Sequence, residues 1–122
     1  MKKRVLFVGD EEIFRIALRI ALKRKKIDLV AEADRSLKNL IPALDVNDFY
    51  DLLIIDISMP EMSGIDVLEY LTQEKKDIPV IAITDHMHHD LRFFCSGIRS
   101  IRIIQKPFDQ NELIGEVLKL LD

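Results

Sequence analysis

Leu52-Leu53-Ile54-Ile55-Asp56, followed by Ile57-Ser58-Met59-Pro60-Glu61-Met62-Ser63-Gly64, is the stretch that decides the fold. Its apolar part is continuous rather than alternating, which is the pattern of a strand covered by helices on both faces. Val80-Ile81-Ala82-Ile83 repeats that pattern, so a parallel sheet is expected. Working outward, the runs Val5 to Val8, Leu29 to Ala33, Leu52 to Ile57, Val80 to Ile83 and Ile101 to Ile104 read as five strands.

Segments of helical period separate them. Ile13, Ala17, Ile20 and Ala21 share one face opposite Arg15, Arg19 and Lys23, which predicts an amphipathic helix from about Glu11 to Lys25. Ser36 can cap a short helix carrying Leu37, Leu40, Ile41 and Leu44, and Ile65, Leu68 and Leu71 mark another after Gly64. A fourth, around His89 to Cys95, has few regularly spaced apolar residues and ends near Gly97. The last begins at Asp109, which with Glu112 resembles a capping box; Leu113, Ile114, Val117, Leu118 and Leu121 form its expected buried stripe. Alternating strands and helices with right-handed crossovers imply a doubly wound α/β sandwich.

Composition bounds what such a domain can do. The 122 residues, 48% of them hydrophobic, fill one core, so a single domain is expected. A formal net charge of -3 gives no sequence-wide positive field for a nucleic-acid backbone. The basic run Lys23-Arg24-Lys25-Lys26 complements the negative pole of the helix it ends. The first apolar run is too short for a signal peptide or membrane span, and the lone Cys95 has no disulfide partner, so a reducing cytoplasm fits. His86, His88 and His89 lack the spacing of a defined ligand set and read as solvent-exposed loop residues.

Doubly wound sheets bind ligands outside the carboxyl ends of their strands. Those ends carry Asp10, Asp56, Thr84 and Lys106. Two carboxylates, a hydroxyl and an ammonium on one edge make a site for a divalent cation and a phosphoryl group.

Four blocks, Val5 to Glu11 (VLFVGDE), Asp51 to Gly64, Pro79 to Thr84 and Lys106-Pro107-Phe108, stand in the order of the response-regulator receiver family of two-component systems. The chain resembles that family over essentially its whole length, 1–122. The resemblance implies a flavodoxin-like fold, a five-stranded parallel sheet in order 2-1-3-4-5 with helices on both faces. It also implies a phosphorelay switch rather than an enzyme. Asp56 is then the phosphoacceptor, Thr84 the hydroxyl that moves onto the phosphoryl group, and Lys106 the ammonium that pairs first with Asp56 and then with phosphate. Pro107 permits a cis bond after the lysine. The implied cofactor is Mg²⁺, held by Asp10, Asp56 and the backbone carbonyl of Ser58. Partners would be a histidine kinase or phosphotransfer protein and a downstream protein. The family also uses the face from its fourth to its fifth helix for homodimers.

The chain departs from the family pattern at three positions. Gly9 replaces the first of two acidic residues, which predicts weaker Mg²⁺ binding; Glu11 is an additional candidate ligand, but its side chain is expected to point differently from that of residue 9. Asp85 replaces a small residue after Thr84, either slowing phosphorylation by repulsion or capping the fourth helix. Ile103 replaces the aromatic switch residue three positions before the lysine. These departures support a second reading, a phosphate-independent pseudo-receiver that serves as an interaction module. An aspartyl-phosphate hydrolase would need an aspartate where Ser58 stands, and a flavodoxin-type flavin site a hydroxyl- or Gly-rich loop after the first strand.

Overall fold

In a computed structural model the strand and helix signals resolve into one parallel sheet. The structure describes residues 2–9, 11–32, 50–58, 64–74, 77–85, 97–98 and 100–121. In chain order the elements are β1 (Lys3–Val8), α1 (Glu12–Lys23), β2 (Ile27–Glu32), β3 (Leu52–Asp56), α2 (Gly64–Gln73), β4 (Val80–Thr84), β5 (Ile101–Gln105) and α3 (Gln110–Leu121). The sheet order is β2-β1-β3-β4-β5, and every neighbouring pair is parallel, as expected. The helices predicted over Ser36 to Leu44 and His89 to Cys95 lie outside the described residues.

β3 and β4 are buried at all five positions each, which is why their sequences do not alternate. Successive side chains go to opposite faces. Leu6, Val8, Leu53, Ile55 and Val80 pack with Val67, Leu68 and Leu71 of α2. Val5, Phe7, Leu52, Ile54, Ile81, Ile83 and Ile104 pack with Leu18 and Leu22 of α1 and with Leu113, Ile114 and Val117 of α3. The sheet is therefore covered on both sides, and each fully buried leucine contributes about 1.5–3 kcal/mol to holding it there.

Three local expectations are corrected. α1 carries two apolar arcs, and the one it buries is Phe14, Leu18 and Leu22, an i, i+4, i+8 stripe. Ala21 joins that stripe, whereas Ile13 is 86% and Ile20 52% exposed. The larger Phe and Leu side chains fill the space over β1 and leave the isoleucine arc outside. On α3, Leu118 is 40% exposed while Leu120 and Leu121 pack against the core. The helix expected after Gly64 begins at Gly64 itself.

Helix ends follow local chemistry. Asp109 caps α3 as predicted, but its carboxylate accepts from the Asn111 amide at 2.7 Å, while its carbonyl accepts from the Glu112 amide at 3.0 Å. α1 ends with Lys23 in its last turn, and Lys26 then takes φ 61, the left-handed conformation that reverses the chain into β2.

Candidate functional site

Parallel strands end on the same side of a sheet, so β3, β4 and β5 deliver Asp56, Thr84 and Lys106 to one edge. The register places Asp56 beside Ile83, and Thr84 beside Gln105. The Lys106 amide donates to the Thr84 carbonyl at 2.8 Å, and the Lys106–Pro107 bond is cis. Thr84 is 4% exposed.

Asp56 is held from two directions. After β3 the chain turns back, and the Ser58 amide donates to Asp56 Oδ1 at 2.9 Å. Lys106 Nζ donates to Asp56 Oδ2 at 2.7 Å. Both carboxylate oxygens thus have a donor, as the side chain's 9% exposure demands. Ser58 also ties two loops together, its hydroxyl accepting from the Asp85 amide at 2.8 Å.

The Lys106 ammonium meets further carboxylates, Glu11 Oε1 at 3.4 Å and Asp85 Oδ1 at 3.8 Å. Partial burial pulls its pKa down, but the hydrogen bond and charge of Asp56, with Glu11 behind them, outweigh this and hold it above the ordinary lysine value. Glu11 stands at the N-cap of α1 without capping it, since its carboxylate turns to Lys106 instead. Glu11 thereby joins Asp56 as a second carboxylate on the Lys106 ammonium.

Asp10 lies outside the described residues, as do His86, His88, His89 and Cys95. Among the described residues no three His, Cys, Asp or Glu side chains form a metal cluster. The donors that do face one point, the carboxylates of Asp56 and Glu11 on either side of Lys106 Nζ, are hard oxygens and fit Mg²⁺ rather than a softer ion.

A feature not anticipated from sequence adjoins this site. Phe7, Phe14 and Phe108 form a run of rings, Phe7 to Phe14 at 5.7 Å between centroids and Phe14 to Phe108 at 5.6 Å with planes at 86°. They wall a cleft of about 450 Å³ that ends at Glu11, Asp56 and Lys106. Phe7 also explains Gly9. A Cβ on residue 9 would lie 2.7 Å from Phe7 Cζ and 2.8 Å from Cε1, so the ring occupies the place of a side chain. The i, i+2 spacing on one strand face was the available signal, but it does not reveal which way a ring leans.

Comparison with known proteins identifies the family. Residues 5–118 match the family described as response regulator receiver domain. The response regulator protein PilR of Pseudomonas aeruginosa is 29% identical over 98% of the chain, and the transcriptional regulatory protein ResD of Bacillus subtilis 31% over 97%. The chain spans 27% of the length of the first and 48% of the second. Among solved structures, the response regulator TrrA of Thermotoga maritima, in complex with Mg²⁺ and BeF, is similar at 30% identity with a TM-score of 0.76, over 98% of this chain and 99% of that one. The non-phosphorylated HemR receiver domain of Leptospira biflexa shares the fold, with a TM-score of 0.82 at 22% identity over 99% and 95% of the two chains. No helix among the described residues is long and apolar enough to cross a membrane.

Proposed function

Because the chain belongs to the response regulator receiver family, we propose that it is a phosphoacceptor switch of a two-component relay, phosphorylated on Asp56. The observation that carries this reading is the 2.7 Å pairing of Lys106 with Asp56, on the edge shared with Thr84. The donor would be a histidine kinase or phosphotransfer protein in the cytoplasm, and the output a conformational change read by a downstream protein. The domain acts as a switch and not as an enzyme on other substrates.

An Asp56 carboxylate oxygen attacks phosphorus, the bond from phosphorus to the donor's histidine nitrogen breaks, and the leaving imidazole takes up a proton. The Ser58 amide keeps Asp56 oriented during that attack. Lys106 then moves its hydrogen bond from the carboxylate to a phosphoryl oxygen, which a compact ammonium on a flexible stem can do without leaving the site. Thr84 adds a hydroxyl donor. Asp10, Asp56 and the Ser58 carbonyl would hold Mg²⁺, with Glu11 adjacent, and the ion would neutralise the charge gathering between carboxylate and phosphoryl group. The resulting shift biases β4, β5 and the surface beyond them, including the face the family uses for homodimers.

Incubation with acetyl phosphate and Mg²⁺, read by intact mass, tests the proposal. One phosphoryl adduct that vanishes in Asp56→Ala supports it. A folded domain that takes no adduct at any Mg²⁺ concentration moves the reading to the phosphate-independent interaction module. The Phe7 ring over Gly9 is the observation that favours that second reading, because it keeps a second acidic side chain out of the site.

A further inference from the structure

We infer that the cleft between β1, α1 and the segment after β5 binds a small organic monocation carried on an aromatic or alicyclic body. Its volume of about 450 Å³ lies within the range of small-molecule sites and exceeds the cavity of roughly 150 Å³ that accommodates benzene, so a bicyclic body fits. The walls are apolar, with Phe7, Phe14 and Phe108 in sequence and Ala17 and Ile83 between them. Ala17 leaves the space open on the α1 side, since its side chain is too short to cross it.

Charge selects the ligand's sign. Of the charged groups lining the cleft among the described residues, Asp56 and Glu11 are carboxylates and Lys106, 2.7 Å and 3.4 Å from them, is the one ammonium, so the polar end carries more carboxylate than cation. An incoming anion is repelled there and an incoming cation attracted. Glu11, 62% exposed in its side chain, is the carboxylate freest to turn toward it. The apolar walls give the ligand's ring body a surface to cover. A metal ion alone would use the carboxylates and leave the aromatic walls uncovered, whereas an amine on a ring system uses both.

Occupancy also has a consequence that rests on the phosphoacceptor reading. The ligand's cationic group and Mg²⁺ draw on the same carboxylates, so a bound organic cation opposes phosphorylation of Asp56. The switch would then answer to a small molecule as well as to a kinase.

The test titrates ¹⁵N-labelled chain, free of Mg²⁺, with 1-naphthylmethylamine and follows amide shifts. The neutral 1-naphthylmethanol and the anionic 1-naphthylacetate serve as probes of the same shape. The amine should shift Gly9, Phe14, Ala17 and Phe108 and bind about tenfold more tightly than the alcohol, with the acetate weakest. Ala17→Phe should weaken the amine about tenfold by filling the cleft. Glu11→Gln should weaken the amine and spare the alcohol. Equal affinities for the three probes, no shifts at millimolar amine, or amine binding indifferent to both variants overturns the inference. Ala17 is exposed, so its variant is expected to fold, and phosphorylation of the native chain by acetyl phosphate and Mg²⁺ without probe reports on the acceptor reading separately. Amine binding with no adduct in that assay upholds the cleft and sinks only the acceptor.

Discussion

Gly9→Asp restores the acidic residue that most receivers carry, and the structure predicts that the chain resists it. The backbone at Gly9 is not left-handed, so φ is no obstacle to a side chain. The obstacle is Phe7, whose ring atoms stand 2.7 and 2.8 Å from the new Cβ, against about 3.5–4.0 Å for an ordinary carbon contact. The ring must retreat by about 1 Å, yet it is 2% exposed and lies tilted against Phe14 with centroids 5.7 Å apart. Overpacking of this kind costs about 1–3 kcal/mol. Gly9→Ala carries the same Cβ without the charge and should show most of that loss. In a Phe7→Val background the ring is gone, and Gly9→Asp should cost at least ~1 kcal/mol less than in the native chain. Urea unfolding followed by circular dichroism, read as midpoint shifts at constant slope, measures all four corners of the cycle. A Gly9→Asp penalty that is the same with and without the Phe7 ring would refute the reasoning.

Other expectations concern local devices. Lys26→Gly places at φ 61 the residue that reaches it without strain, and should raise stability by about 0.5–1 kcal/mol in the same unfolding assay. Asp109→Ala removes the 2.7 Å bond to the Asn111 amide and should cost about 1 kcal/mol, while Asp109→Asn keeps most of it. The raised pKa of Lys106 means that its contribution to stability is fully present below the unfolded-chain value of about 10.4 and is lost as pH rises through the higher folded value. Stability of the Mg²⁺-free domain, measured from pH 9 upward, should therefore fall more steeply in the native chain than in Lys106→Met.

The sheet was legible in the sequence because β3 and β4 are covered on both faces, and a strand in that position can be little but apolar. The convergence of Asp56, Thr84 and Lys106 was legible for a related reason, since parallel strands present their ends on one side. α1 was harder. Its Ile13, Ala17 and Ile20 have the right period, but so do Phe14, Leu18 and Leu22, and periodicity cannot say which arc meets the sheet. The turn of Glu11 toward Lys106 joins residues 95 apart and depends on strand order, which lies beyond any local pattern. The cleft was illegible because its lining residues come from segments as far apart as Phe7 and Gln110.

The span of those contacts also bears on how the protein is made. Asp56 and Lys106 are separated by 50 residues, and Glu11 and Lys106 by 95. As the chain leaves the ribosome, the carboxylates of Glu11 and Asp56 emerge well before the cation that holds them together. The cation that holds both, Lys106, follows the last strand, so the ion pairs of this site can form only once nearly the whole domain has been made.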